Sequence, residues 1–398
     1  MDINNICGLS SCYLQAKTMR NTVIISLSIF ILNSCNSQMI QKDMKEVDRI
    51  LIELVDKNKT PSVQYLIFTK DSVIHRFQKG FADINNKKDI NQNTTYNAFS
   101  VTKTFTALAI LQLAEKESLN IDKPVNEYLS DFTYSSNITI RQLLTHSAGI
   151  PNPIPLSWIH LTNEHQDFNI DEFFKQIFQE NSKTKSEPNE KYSYSNLGYV
   201  ILGQIIEKVS GLTYENYIEK NIIKKIGATP NELSFTINPK NHAKGYHKKW
   251  SFSNLILGFF IDKSKYMSDT EGKWKSFKNI YVNGAPYGGL IGTAEGFMKY
   301  LQELMKLNNK LLSDKFMEQL FTENITTEKE PTGMCLSWFK GAVNGNEYYA
   351  HAGGGGGYYC EIRIYPEIEI GSVIMFNRTG MKDERFLDNI DKYYIGNK

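Results

Sequence analysis

Ser100-Val101-Thr102-Lys103 opens the stretch Phe105-Thr106-Ala107-Leu108-Ala109-Ile110-Leu111, and this pairing constrains the chain more than any other feature. The run predicts a helix that must be buried, because it offers no polar face to water. A serine at such a helix start and a lysine one turn later share a face. The serine hydroxyl is a weak nucleophile at its own pKa and needs a base within hydrogen-bond reach. A lysine can be that base if burial and its neighbours lower its pKa. The helix N-terminus adds free N–H groups and positive potential, which suit a developing oxyanion.

Ser-x-x-Lys recurs at Ser182-Lys183-Thr184-Lys185, inside a polar run from Gln179 to Pro188. That segment has nothing to bury, so its lysine is solvated and it reads as a loop. Taken alone, Ser100 would be a plain helix cap; two further constellations argue otherwise. Tyr194-Ser195-Asn196 directly precedes the apolar run Leu197-Gly198-Tyr199-Val200-Ile201-Leu202. A tyrosine beside a lysine can have its pKa lowered and exchange protons with Ser100 and a leaving group. Asn196 carries a donor and an acceptor, so it can bridge the lysine and a substrate carbonyl. The Tyr-x-Asn pattern recurs at Tyr214-Glu215-Asn216, in a predicted helix, and at Tyr281-Val282-Asn283, in a predicted loop that stays an alternative. The second constellation is His351-Ala352-Gly353 with Gly354 to Gly357 behind it. Five consecutive glycines directly before a strand invite close backbone approach by a ligand, although a glycine run alone is more simply a hairpin loop. Arg378-Thr379-Gly380 comes after the last predicted strand and reads as its end.

The 398 residues carry a formal net charge of +2, with 22% charged residues, so no basic field invites nucleic acid. The length suffices for a large core. The 22 Tyr and 22 Phe suit core and cleft lining, and Trp158, Trp250 and Trp274 read as core residues. Met19-Arg20 precedes the apolar segment Val23 to Leu32, too short for the ~20 residues of a membrane span but of signal-peptide length. Leu32-Asn33-Ser34-Cys35 resembles a bacterial lipobox, with Cys35 the residue to be lipidated; an uncleaved anchor is the alternative. Residues 1–18 are expected to precede the true start, 19–35 to form the signal and 36–398 the mature domain. That makes an exported bacterial cell-envelope lipoprotein, in the periplasm or at the outer membrane, that meets the membrane through its lipid. Cys335 and Cys360 could pair in an oxidising compartment. No Cys/His spacing suggests zinc, and neither metal nor cofactor is expected.

Val47, Ile50, Leu51, Leu54 and Val55 repeat at helical spacing. Val63 to Phe68 and Val73 to Phe77 read as strands around Lys70-Asp71, and Tyr358 to Tyr365 and Ile370 to Phe376 as strands around Pro366 to Glu369. Between them, helices are predicted over Asn196 to Val209, ended by Gly211, and Ala294 to Leu304. A C-terminal helix is predicted around Phe386, Leu387 and Ile390. The fold class is α/β (α+β): one antiparallel sheet built from both chain ends, about 45–95 and 330–398, with a helical part, about 100–300, inserted. A cleft between the two parts is where a site tends to form.

In their order and spacing these motifs resemble the serine β-lactamase and penicillin-binding protein superfamily. The branch resembled is that of class C β-lactamases, D-Ala-D-Ala carboxypeptidases, esterases and D-aminopeptidases. Leu143-Leu144-Thr145-His146-Ser147-Ala148-Gly149-Ile150-Pro151 and Gly288-Gly289-Leu290-Ile291-Gly292-Thr293-Ala294-Glu295 look like the same branch, and the resemblance spans roughly residues 45–380. It implies a β-lactamase/transpeptidase-like fold and a metal-independent serine hydrolase acting on a small-molecule or peptide substrate. Carried over, Ser100 is the acylated nucleophile and Lys103 its base or proton relay. Tyr194 protonates the leaving group and helps activate the deacylating water. Asn196, His351 and Gly353 bind substrate, and the N–H groups of Ser100 and Gly354 form the oxyanion hole. His146 matches a family segment and is expected to be structural. His351 stands where class C β-lactamases commonly have lysine, and Ala352 where threonine is usual, which removes a hydroxyl that can bind a substrate carboxylate. Peptidase- or esterase-like cleavage of an amide or ester is therefore the expectation. β-Lactam hydrolysis and a penicillin-binding or sensor module that does not turn over are the alternatives.

Overall fold

The computed structural model describes residues 44–381, 385–396 and 398. Cys35 and the apolar segment before it lie outside the described residues. The chain divides into two compact units, 1–50 and 51–398, and the sheet, the inserted helices and the site all belong to the second.

The N-terminal strands β1 (Ser62–Thr69), β2 (Val73–Asp83) and β3 (Lys88–Asp89) share one antiparallel sheet with four C-terminal strands. These are β4 (Phe339–Val343), β5 (Asn346–Gly355), β6 (Tyr358–Tyr365) and β7 (Ile370–Phe376). The spatial order is β4-β5-β6-β7-β1-β2-β3. The chain ends meet where β1 pairs with β7, with Val63 opposite Phe376 and Thr69 opposite Ile370. Every residue of β6 is buried, as expected of a central strand covered on both faces, whereas β2 is buried only at Ala82.

The inserted part includes the helices α1 (Thr102–Glu115), α2 (Asn196–Ser210), α3 (Phe252–Phe260) and α4 (Ala294–Leu304). The Phe105 ring stacks on Tyr300 of α4 at 4.0 Å and meets Phe297 edge-on at 6.3 Å. Residues Thr102 to Leu113 of α1 are all buried, polar ones included. That is possible because the threonine hydroxyls find backbone acceptors: Thr104 Oγ1 donates to Val101 O at 2.9 Å, and Thr106 Oγ1 to Pro286 O at 2.7 Å. Ser195 caps α2 by accepting the Gly198 N–H at 3.1 Å, and Gly211 ends the helix in the left-handed region at φ 70°. At Gly203 the same helix is overlaid by the turn 285–288; a Cβ there would fall 2.1 Å from Pro286 Cγ.

The structure departs from the sequence reading in several places. The α-helix begins at Thr102, and Ser100 sits in a preceding 3-10 turn, Phe99–Val101. Gly353 to Gly355 do not precede a strand; they finish β5, which begins at Asn346, and only Gly356 and Gly357 turn, both at positive φ. The middle of the chain is less purely helical than expected. It carries small antiparallel sheets, among them one formed by Tyr246–Lys248, Trp274–Phe277 and Met267–Glu271. Cys335 and Cys360 are both buried and free. Trp158 and Trp274 are core residues, but Trp250 is 87% exposed.

Candidate active site

Three elements converge on Ser100. Its turn is tied down by Thr102, whose Oγ1 donates to Phe99 O at 2.6 Å and accepts the Leu290 N–H at 3.0 Å. Phe99 itself lies at φ 46°, a left-handed conformation unusual for an aromatic residue and one that surrounding contacts must hold. The turn leaves the Ser100 hydroxyl at a cavity of about 650 Å³. Its lining includes Tyr192, Tyr194, Phe339, His351, Gly353, Gly354, Thr379 and Arg385.

Lys103 reaches Ser100 from below. Its Nζ lies 3.1 Å from Ser100 Oγ and donates to Asn196 Oδ1 and to the Tyr287 carbonyl, each at 2.8 Å. These two carbonyl oxygens can only accept, so they take two N–H bonds. The remaining position on the nitrogen points at Ser100, and in the neutral amine it holds the lone pair. Lys103 is fully buried, no carboxylate pairs with it among the described residues, and desolvation holds its pKa well below the ordinary lysine value. The rings of Tyr194, Tyr199 and Tyr287 lie 5.0–5.3 Å from the nitrogen and favour the charged form. Each such contact is worth about 2 kcal/mol or more when desolvated, still less than the cost of burying an unpaired ammonium.

Capping of α2 by Ser195 puts Tyr194 just ahead of the helix and Asn196 at its first position. Tyr194 OH donates to Ser100 Oγ at 2.9 Å. Asn196 does not stand between lysine and cavity. Its amide nitrogen donates to Asn152 Oδ1 at 3.1 Å, its backbone N–H to the same atom at 3.0 Å, and it is not among the cavity-lining residues. The geometry gives it the task of holding Lys103. The other Tyr-x-Asn segments are elsewhere: Tyr214 OH bonds Thr106 Oγ1 at 2.8 Å, and Asn283 Oδ1 faces His160 Nδ1 at 2.8 Å.

His351 and the glycines arrive on β5. Its first half pairs with β4 on one side, but from His351 onward its sheet pairing is to β6 alone. A Cβ on Gly353 would fall 2.1 Å from Ala98 O and 2.6 Å from Ser100 N, so the strand and the Ser100 turn meet backbone to backbone. This contact brings the next residue, Gly354, to the same cavity as Ser100. His351 Nδ1 lies 2.6 Å from Ser337 O, an atom that only accepts, so Nδ1 carries the proton. Nε2 is then a bare acceptor, buried and without a protein partner. Burial, with Lys103 nearby, lowers the His351 pKa to about 3, and the ring is neutral at ordinary pH. His146 lies behind the site: its Nδ1 accepts the Ser195 N–H at 3.1 Å and its ring packs 4.2 Å from that of Tyr194.

Sequence reasoning missed Asn152, the Tyr287 carbonyl and Thr379, whose Oγ1 accepts the Gly357 N–H at 2.7 Å. Arg378-Thr379-Gly380 thus does more than end a strand, since Thr379 and Gly380 line the cavity. A backbone carbonyl leaves no residue-type signal. For Asn152 the only hint was its place between two prolines just after His146.

The family model described as Beta-lactamase matches residues 47–393. Penicillin-binding protein 4* of Bacillus subtilis (strain 168) is 25% identical over 297 residues, which is 72% of this chain and 61% of that protein. Protein flp of Staphylococcus aureus (strain N315) is 32% identical over 221 residues, 54% of this chain and 43% of its own length. Both matches thus span less than two thirds of these relatives. The octameric penicillin-binding protein homologue from Pyrococcus abyssi superposes with a TM-score of 0.71 at 24% identity, over 88% of this chain and 76% of that one. The chain belongs to the Beta-lactamase family, within the serine β-lactamase and penicillin-binding protein superfamily.

Proposed function

We propose that this chain is a serine hydrolase that cleaves an amide or ester through an acyl-enzyme on Ser100, with peptidase- or esterase-like specificity. The observation that carries this reading is the buried Lys103, with two N–H bonds committed to carbonyls and its remaining position aimed at Ser100 Oγ. Lys103 takes the hydroxyl proton as Oγ attacks the substrate carbonyl carbon. The carbonyl electron pair moves onto oxygen, facing the N–H groups of Ser100 and Gly354. The pair returns as the C–N or C–O bond breaks, and Tyr194 hands a proton to the departing nitrogen or oxygen and regains one from Lys103. In the second half Tyr194 passes its proton to Lys103 as it draws one from water, whose oxygen attacks the acyl carbon; the C–Oγ bond then breaks and Lys103 gives its proton to Ser100 Oγ. No step calls for a metal. His351 presents an unprotonated Nε2, a hydrogen-bond acceptor for a substrate N–H or O–H.

Ala352 offers no hydroxyl and His351 no charge, so the strand lacks the groups that would favour a carboxylate-bearing β-lactam. An exported lipoprotein with its lipid on Cys35 would meet peptides and esters of the cell envelope. The test is turnover of p-nitrophenyl butyrate and nitrocefin by the protein and by Ser100→Ala. Ester cleavage lost in the variant supports the proposal. Rapid Ser100-dependent loss of nitrocefin would make the protein a β-lactamase. A stable acyl adduct by mass, without turnover, would make it a binding module.

A further inference from the structure

Helix α3 is apolar yet lies at the surface. Its inward side is accounted for: Leu257, and Ile261 just beyond the helix, join Ile159, Met267, Phe277 and Ile280 in a small core. The opposite side is not. Leu255 is 64% exposed and Phe259, one turn further on the same face, is 82% exposed. Trp250, just ahead of the helix, is 87% exposed. Single exposed apolar side chains are ordinary, but three large ones within ten residues make a patch.

The surroundings of this patch are cationic. Beyond Lys248, residues 249–279 hold six lysines, of which Lys265 pairs with Glu164 at 2.7 Å, against Asp262, Asp269 and Glu271. Glu271 is buried and already committed to Lys244, Tyr246 and Ser276. Lys249 Nζ lies 5.7 Å over the Trp250 ring, and the Lys249 backbone N–H bonds Lys273 O at 3.0 Å, which sets Lys273 beside it. Lys263 folds back onto α3, its Nζ bonding the Asn254 carbonyl, with Lys275 close enough to disfavour its charge. An apolar protrusion ringed by lysines matches a surface that is anionic outside and apolar within. A second copy of the chain does not fit, because a two-fold contact would set these lysines against themselves. Among the described residues no helix is long and apolar enough to cross a membrane, so the fit is to lying on one.

We infer that α3 and Trp250 form a docking surface for an anionic lipid bilayer, with Trp250, Leu255 and Phe259 entering the headgroup boundary and Lys249 and Lys273 facing lipid phosphates. This contact is independent of the hydrolase reading and of any lipid on Cys35. Trp158, Trp274 and Trp338 are buried, so Trp250 is a site-specific reporter among the four tryptophans. The experiment follows Trp emission of the full chain mixed with phosphatidylglycerol-containing vesicles, with neutral phosphatidylcholine vesicles, and with each carrying brominated acyl chains. The expected result is a blue shift and bromine quenching on the anionic vesicles, weakened by salt and absent in Trp250→Phe. Leu255→Glu/Phe259→Glu, checked for an unchanged thermal midpoint, should need about tenfold more lipid for the same shift. Trp250 emission that stays water-like on vesicle-bound protein overturns the inference, because another segment then does the anchoring. So does a blue shift that grows with protein concentration and needs no lipid, which would mean self-association, or an equal response to neutral and anionic vesicles.

Discussion

At the residue scale, the site depends on how one nitrogen is satisfied. Burial lowers the Lys103 pKa well below the ordinary lysine value, while Asn196 and Tyr287 fix which way its remaining position points. Because its folded pKa lies below the ordinary lysine value, the base form is present at lower pH than for a solvated lysine. Turnover should therefore rise with pH along a limb centred below ~10.4. Lys103→Met should lower kcat by roughly 100- to 10,000-fold and remove that limb, as measured by steady-state rates on the preferred substrate across pH. A limb that survives in Lys103→Met would assign the titration to another group. That Ser100, Lys103 and Tyr194 come together was legible in the sequence, since each sat at the start of an apolar helical run. Their orientation was not: no motif pointed to Asn152, which takes one amide N–H of Asn196 while Asn196 Oδ1 accepts from Lys103.

At the element scale, the two ends of the chain make the site by backbone contact. The glycine run drew attention as a possible ligand approach, but the atoms it approaches are those of the chain itself, Ala98 O and Ser100 N. Gly353→Ala would put a methyl into that contact and push β5 off the Ser100 turn. About a 100-fold loss of turnover is expected, with substrate positioning affected as well as stability. Rates within a few-fold of the parent would show that the contact yields easily. Strands β1, β6 and β7 could be read from alternation and turn residues between them. Strands β4 and β5 could not, because a strand that ends in three glycines has lost the side-chain pattern by which strands are recognised.

At the scale of the whole molecule, charge is buried beneath the sheet as well as at the site. Arg363 is fully buried between Glu361 at 2.7 Å and Asp388 at 2.7 Å. Asp391 accepts from Ser372, Tyr365 and Tyr65 at 2.7, 3.0 and 3.2 Å. Arg363→Met would strand these carboxylates and should cost about 3–5 kcal/mol in a urea titration. A second expectation concerns acid. His242 and His351 are both buried with pKa values lowered to about 3. Each binds its proton less readily when folded, so its contribution is present above the unfolded value near ~6.5 and is lost as pH falls toward 3. Glu361 and Asp391, raised by burial, work in the opposite sense where they titrate. Between about pH 7 and about pH 5 urea midpoints should decline more steeply in the parent than in His242→Gln, and identical slopes would contradict the neutral assignment. The overall plan, a sheet from both termini around inserted helices, was readable from the order of the elements. The buried charges were not, since Glu361 and Arg363 alternate with apolar residues as a half-solvated strand would.

The pairing of β1 with β7 also sets an order of events during synthesis. Val63 finds Phe376 only after the intervening chain has been made. Ser100 and Lys103 leave the ribosome about 250 residues ahead of His351 and Gly353, roughly 12–50 s at about 5–20 residues per second. Throughout that interval one edge of β1 lacks its neighbour, and the nascent polypeptide holds Ser100 without the strand that completes the pocket. A chain built this way completes its pocket only when its C-terminal strands emerge, and it is most exposed to mispairing while it waits.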